Sequence, residues 1–356
     1  MSKLKQLISE FCPNGVDYAG LGEVVNILDH LRKPITKKNR KPGVYPYYGA
    51  NGIQDYVDDY IFDGTFILMG EDGSVVNKDN SPVLNWAMGK IWVNNHAHVL
   101  SGMKDIALLR FVYYALQATD VSSIVRGTPP KINQTVLKSI SVPIPPLPVQ
   151  HEIVRILDHF TELTAELTAE LTARKKQYDY YRDLLLKFDN TVLRLALGET
   201  CSLKAGKAIP ASNLSNVQTH QSLYPCFGGN GLRGYVPLYN GDGEHPLIGR
   251  QGALCGNVNF ASGRFYATEH AVVVSQNGGY FPRFLYYLLH SLDLNQYKTA
   301  GAQPGLSVAR LKKVKVPLPS LTEQERIVAI LDRFDTLLCH LHSDCLGYPT
   351  IIILFN

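Results

Sequence analysis

The chain holds only 2 Trp and 6 Cys, and its charge is nearly balanced, with 35 Lys and Arg against 31 Asp and Glu. Each scarcity excludes something. Cys12, Cys201, Cys226, Cys255, Cys339 and Cys345 are scattered with no CxxC pair, so no disulfide framework is expected, and they read as reduced thiols of a cytoplasmic protein. No apolar run reaches the ~18–20 residues of a membrane helix, so no membrane is expected. The opening MSKLKQLISEFCPNG has no apolar stretch before a small-residue cleavage site, so it does not read as a signal peptide. The net charge of +4 permits a polyanionic partner without demanding one. A composition of 45% hydrophobic and 19% charged residues excludes a disordered or fibrous chain.

Catalytic signatures are also missing. There is no GxxxxGK[ST], no HExxH and no Asn-Pro-Pro-aromatic tetrad of the amino-methyltransferase kind. Gly229, Gly231 and Gly234 spell GxGxxG, but the matching Gly49-Ala-Asn-Gly52 lacks the last glycine and no βαβ unit surrounds either. They read as turn glycines. Cys339, His340, His342 and Cys345 are zinc-ligand types in a tail without a counterpart elsewhere, and no metal is assigned to them. His96 and His270, each followed by Ala, read as satisfied histidines at a strand edge.

What the chain does have is 20 Tyr, 29 Gly, 20 Pro and an internal duplication. YPYYGANGI (Tyr45 to Ile53) returns as YPCFGGNGL (Tyr224 to Leu232). At the same offset Tyr56-Val57 matches Tyr235-Val236, Asp63-Gly64 matches Asp242-Gly243, and Gly70 and Gly73 match Gly249 and Gly252. After a few deleted residues Arg110-Phe-Val-Tyr-Tyr114 matches Arg283-Phe-Leu-Tyr-Tyr287. Val142 to Pro145 matches Val316 to Pro319, and Gln150 with IVRILDHF matches Gln324 with IVAILDRF. Each half runs from a Gly- and Tyr-rich β segment, through Pro punctuation, into a helix. Strands are expected over Thr65 to Met69, Lys90 to Asn94 and Ala271 to Ser275, and short helices over Phe111 to Gln117 and Pro282 to His290.

Apolar residues at Ile153, Ile156, Phe160, Leu163, Leu167, Leu171, Tyr178, Tyr181 and Leu185 predict a long helix with a coiled-coil seam. Some 40 helical residues would span ~60 Å at 1.5 Å each. Inside it, Leu163-Thr-Ala-Glu, Leu167-Thr-Ala-Glu, Leu171-Thr-Ala repeats every four residues. Each unit would lengthen the helix by ~6 Å and rotate the seam by ~40°, so it reads as a length adjuster; the plainer reading is a solvated Ala- and Glu-rich helix. The second copy continues the seam at Ile327, Ile330 and Phe334.

Two diverged β-rich modules without catalytic residues suggest two recognition units for a partner with two separated sites. Basic residues lie where loops are expected: Lys37, Lys38, Arg40 and Lys41 before YPYYG, Arg126 and Lys131 around Gly-Thr-Pro-Pro, then Arg233, Arg250, Arg264 and Lys298. With Gln251 and Gln303 they form the candidate DNA-binding set, since Lys and Arg meet phosphates while Arg and Gln can read base edges.

PLPxQxxIVxILDxF present twice, the Thr-Ala-Glu-Leu repeat followed by Arg174 to Asp183 (RKKQYDYYRD), Gly249-Arg-Gln-Gly252 and Gly301-Ala-Gln-Pro304 together resemble the specificity (S) subunit of type I restriction–modification systems over nearly the whole chain. The resemblance implies an α+β protein: two β-rich target-recognition domains (1–145 and 191–319) separated by long conserved helices (146–190 and 320–345) forming an antiparallel coiled coil. Each lobe would read one half of a bipartite site on double-stranded DNA. The helices would set the gap and dock two methyltransferase (M) subunits, joined by restriction (R) subunits. The chain would carry no catalysis, and S-adenosylmethionine, ATP and Mg2+ would sit on the partners.

The end departs from the family. After Leu341 the pattern collapses into Cys345 to Asn356, where Gly347 and Pro349 would stop a helix, so 346–356 reads as an aberrant tail on a shortened helix. The first helix is then expected to keep an unpaired distal seam around Tyr178, Tyr181 and Leu185. That opens three outcomes: an inactive truncated subunit, a working shortened spacer, or a homodimer through the orphan seam. A stand-alone two-module DNA- or ligand-binding protein without an enzyme partner is the reading from another class.

Overall fold

The computed structural model describes residues 2–103, 105–252, 255–299 and 305–346, the last stretch from 338 as backbone only. Gln303 and the tail 347–356 lie outside the described residues, as do the side chains of Cys339, His340, His342 and Cys345. The architecture is α+β. The chain divides into two compact units between Glu166 and Leu167.

The first unit is built on a six-stranded sheet in the order Val25–Ile27, Ala97–Gly102, Phe62–Gly70, Leu84–Val93, Pro42–Gly49, Gly52–Val57. Neighbours are antiparallel except Leu84–Val93 against Pro42–Gly49. The central strand Phe62–Gly70 reads almost continuously buried because both faces are covered. Its side chains alternate with the period of two that a pleated strand imposes. Ile67 and Met69 join Leu21, Leu100, Val112 and Leu116 on one side. Phe66 and Leu68 join Phe62, Ile91, Val93 and Val99 on the other.

The second unit repeats this plan with one change. Its strands form a four-stranded sheet (Cys201–Ala205, Ala271–Gln276, His245–Gly249, Val258–Ala261) and a three-stranded one (Gly231–Val236, Tyr224–Gly228, Tyr266–Ala267). In the first unit the ten-residue strand Leu84–Val93 carries both the antiparallel and the parallel pairing. In the second, residues 262–265 break that strand, so the two pairings fall on two short strands and the sheet divides.

Five helices of nine or more residues complete the described chain: α1 (Lys3–Phe11), α2 (Leu109–Gln117), α3 (Leu147–Leu185), α4 (Pro282–Ser291) and α5 (Leu321–Leu346). α2 is apolar on two sides. Val112 and Leu116 face the sheet, while Phe111, Tyr114 and Ala115 meet Leu4 of α1 and Val149, Ile153 and Leu157 of α3. It joins the sheet to the start of the long helix. α4, with Pro at its first turn where the missing N–H costs nothing, does the same for α5 through Phe284, Tyr287, Leu288, Ile327 and Leu331.

A fully buried glutamine locks each joint. The Gln150 side-chain oxygen accepts from the Leu108 N–H (2.9 Å), and its amide donates to the carbonyls of Pro145 (2.8 Å) and Ile106 (3.3 Å). Gln324 repeats this with the Phe281 N–H (2.9 Å) and the Gly279 (2.9 Å) and Pro319 (3.0 Å) carbonyls. Beside each lock an Arg–Tyr–Asp latch closes. Arg110 and the Tyr114 hydroxyl converge on Asp158 at 2.7 and 2.6 Å. Arg283 and Tyr287 converge on Asp332 at 2.8 and 2.6 Å, with Asp335 as a second acceptor. Burial, then the bonds to Asp332 and Asp335, push the Tyr287 hydroxyl far above the usual tyrosine range. The repeated RFxYY and ILDxF phrases are thus the two halves of one contact.

Past Leu157, no side chain of α3 is buried. Leu163, Leu167 and Leu171 are half-buried and Phe160 is exposed. Ile153 and Ile327 were expected on the seam, but both sink into the lobe cores, which removes them from any face offered to a partner. The expectation of an orphan distal seam is corrected as well. Tyr178 and Tyr181 pack on Phe334 of α5, with ring centroids 6.3 and 5.7 Å apart. Leu185 and Phe188 pack on the core of the second unit. The basis for a homodimer through that seam therefore falls away.

Replacing Gln150 or Gln324 by Ala leaves one buried N–H and two buried carbonyls short of a partner, at about 1–3 kcal/mol per orphaned group. Thermal unfolding of Gln150→Ala and Gln324→Ala is expected to shift down by roughly 2–4 °C per kcal/mol lost. Exposed Gln177→Ala should stay within about 0.5 kcal/mol of the parent. Equal melting of all three contradicts the lock.

Candidate nucleic-acid interface

In each unit a glycine hairpin turn packs against the end of the central strand. The turns are Gly49 to Gly52 and Gly228 to Gly231. Gly52 and Gly231 both sit at φ +98°, a left-handed conformation that glycine adopts without a Cβ penalty. A Cβ there would also crowd the side-chain oxygen of Asn85 in one unit and Asn259 in the other. The glycines of the GxGxxG phrase are therefore hairpin glycines.

The same platform surrounds both turns. The Glu71 N–H donates to the His96 carbonyl (2.8 Å), and the Glu71 carbonyl accepts from Ile132 (2.8 Å). In the second unit the Arg250 N–H donates to the His270 carbonyl (2.9 Å), and the Arg250 carbonyl accepts from Leu306 (2.8 Å). Bridges Asp72 to Lys131 and Gln251 to Gly305 complete the match. One backbone scaffold thus carries Glu71-Asp72 in one copy and Arg250-Gln251 in the other.

In the first unit the platform is internally neutralised. Arg32 reaches Glu71 at 2.6 Å and Asp29 at 3.5 Å, Lys131 reaches Glu71 at 3.2 Å, and His96 meets Asp72 at 2.5 Å. The His98 ring, fully buried, faces Asp29 at 2.6 Å and the Ile132 carbonyl at 2.8 Å. Asp29, Glu71 and His98 bring three ligand atoms within 4.8 Å of one another, the reach of a metal site. Their negative charge is already met by the Arg32 guanidinium seated among them, so the set does not fit a divalent cation. Burial alone would raise the Asp29 carboxyl, but the hydrogen bond and charge of His98, the Val99 N–H and Arg32 hold it below the usual range. Sequence reasoning missed Asp29, Arg32, Glu71 and His98. They come from separate segments, and His98 aligns with Val272, so the repeat does not flag it.

The basic candidates divide by environment. Lys37, Lys38 and Lys41 are exposed around a short 3-10 turn and the strand that follows it. Arg40 is not free: its side chain is 14% exposed, bonds to Asp55 (3.3 Å) and the Ile35 carbonyl (3.1 Å), and lies over the Tyr47 ring. Arg126 folds back onto the Ser123 and Val125 carbonyls. Arg233 is exposed and lies across Gly228. Arg264 is exposed, stacked 4.9 Å over Tyr239. Lys298 is exposed beside Thr299, whose N–H bonds to Gly305 (2.9 Å). Gln251 is exposed on the second platform. His96 is satisfied by Asp72, while His270 uses one nitrogen on Glu269 (3.1 Å) and leaves Nδ1 without a partner.

Because the folded value of Asp29 is depressed, the folded chain holds fewer protons there than the unfolded chain. Its contribution is complete above the unfolded value near ~3.9 and is lost as pH falls through the folded one. Acid unfolding followed by circular dichroism should show Asp29→Asn with a shallower loss of stability below about pH 4 than the parent. Parallel curves would contradict this role.

A model of the type I restriction modification DNA specificity domain matches residues 13–174 and again 194–344. A Haemophilus influenzae protein assigned as a type I restriction enzyme specificity subunit is 38% identical over 355 residues, covering 90% of this chain and 88% of the relative. The type I restriction enzyme EcoprrI specificity subunit of Escherichia coli is 54% identical over 198 residues, 54% of this chain and 49% of that protein. In fold, the chain is similar to the type I restriction-modification S subunit from M. genitalium, with a TM-score of 0.69 and 18% identity over 94% of this chain and 93% of that one. It is also similar to a chain from a structure on complex assembly of the type I R-M system, with a TM-score of 0.54. No helix among the described residues is long and apolar enough to cross a membrane. These relatives carry the name of specificity subunits of type I restriction enzymes. A domain model matched twice and a relative aligned along nine-tenths of the chain give one answer: the chain belongs to the type I restriction modification DNA specificity family.

Proposed function

We propose that this chain directs a type I methyltransferase and endonuclease complex to a bipartite site on double-stranded DNA, each lobe reading one half. The observation that carries the reading is the duplicated platform with exchanged side chains: one scaffold, Glu71-Asp72 in one copy and Arg250-Gln251 in the other. A protein that must bind two unlike half-sites needs this combination of a common frame and divergent surface groups. The exposed Lys37, Lys38, Lys41, Arg233, Arg264 and Lys298 would contact phosphates, which position the duplex without reading it, while Lys131 is engaged by Glu71.

The helical spacer α3 with α5, antiparallel in this reading, would set the gap and dock two M subunits, with R subunits joining them. The exposed or half-buried seam from Ile156 to Leu171 and Ile330 are the groups available for that docking. S-adenosylmethionine, ATP and Mg2+ would belong to those partners.

Removing one four-residue unit shortens a helix by ~6 Å, against ~3.4 Å per base pair of DNA. Deleting Thr168 to Leu171 should therefore shorten the non-specific gap by one or two base pairs and leave both half-sites unchanged. Genome-wide methylation mapping reads this directly, and altered half-sites with an unaltered gap would contradict the spacer role.

A further inference from the structure

We infer that Arg250 is the specificity-determining residue of the second lobe and reads a guanine in its half-site, an inference that rests on the DNA-directing function proposed above. The argument begins from Glu71, its structural counterpart, which is held by two cations, Arg32 and Lys131. The second unit keeps the backbone frame but loses the partners: Lys131 is matched by Gly305, and His98 by Val272. The charge at the position is reversed, and no side chain among the described residues answers it. Among the described residues the Arg250 guanidinium has no hydrogen bond or ion pair, and its Nε is sealed from solvent without a partner.

An unpaired buried donor on a charged group costs free energy that native structures ordinarily avoid. Here the deficit is clustered. Asn259 Nδ2, Thr268 Oγ1, Glu269 Oε2 and His270 Nδ1 are likewise buried and unpartnered in the same unit. The His270 carbonyl accepts the Arg250 N–H, and Asn259 abuts the turn at Gly231. In the first unit only Asn85, the counterpart of Asn259, shares this condition among the described residues. The second platform is thus polar, unsatisfied and cationic where the first is paired.

An unpaired guanidinium with fixed backbone fits two kinds of DNA group: the O6 and N7 acceptors of guanine, or a phosphate. The location favours the base. Exposed Arg233 at the Gly228 turn and exposed Lys298 beside Thr299 already supply cations for phosphates, whereas Arg250 is only partly exposed and stands on the platform where the two copies diverge. Gln251 beside it is exposed and free to contact the neighbouring pair.

The test uses the complex of this chain with its methyltransferase subunits. Methylation mapping of the parent defines the second half-site. Competition binding then compares oligonucleotides in which each guanine of that half-site is replaced in turn. For the parent, one guanine replacement should weaken binding about ten- to a hundredfold. For Arg250→Ala that penalty should vanish, with the first half-site read as before, and Arg250→Lys should recover part of it. Melting temperatures of the variants identify any loss due to misfolding, and Arg250→Lys keeps the charge if the alanine variant is unstable. A uniform loss across all sequences with a smaller salt dependence would make Arg250 a phosphate contact and overturn the inference. An unchanged guanine penalty in Arg250→Ala would also overturn it, while leaving the proposed function intact. A parent complex that methylates no bipartite site would overturn the function and the inference together.

Discussion

Everything in each unit hangs on the joint between a short lobe helix and a long one, and that joint is set by one buried glutamine. An amide is suited to the task because it offers an acceptor and two donors in a fixed plane. Gln150 and Gln324 each spend all three on backbone groups that would otherwise end in the protein interior unpaired. Burial in a low dielectric makes such a fully used side chain exacting about geometry, since a displaced helix would orphan several groups at once. The Arg–Tyr–Asp latch adds direction: its planar guanidinium and phenol converge on one carboxylate one helical turn or more beyond the lock. The orientation of each lobe on its own helix is thereby a property of about four side chains.

This division of labour explains why the two copies resemble each other where they do. Residues that fix lobe to helix recur, since the same mechanical problem is solved twice. Residues around the glycine turns diverge, since the surface presented there differs between the copies. The middle of α3 belongs to neither class. From Phe160 to Leu171 none of its side chains is buried or joins a core, so its length can change there in whole repeat units without disturbing one.

Much of this was legible in the sequence. The duplication, the α+β class, the strands near Thr65 to Met69 and Ala271 to Ser275, both short helices and the long helix follow from repeat matching and hydrophobic period. The partners within the latch were visible only as two recurring phrases, because sequence does not say that RFxYY touches ILDxF some forty residues later. The seam was drawn too broadly. A three–four spacing marks apolar positions but not which face meets which neighbour, so Ile153 and Ile327 passed for seam when they anchor lobes. Tyr178 and Tyr181 passed for orphans when Phe334 covers them. Among the basic candidates, Arg40 was indistinguishable from Lys41 in the string and differs only by the carboxylate and ring that fold over it. The Asp29, Arg32, Glu71 and His98 cluster had no signal at all, being assembled from separate segments and absent from the second copy.

The central claim is that two latched lobes on one chain give a two-part address. Single-molecule methylation mapping of a genome carrying this subunit with its methyltransferase partner tests it most directly. The account predicts one bipartite motif with two unlike half-sites and a gap of constant length; methylation at a single contiguous motif, or at half-sites separated by variable gaps, would contradict it.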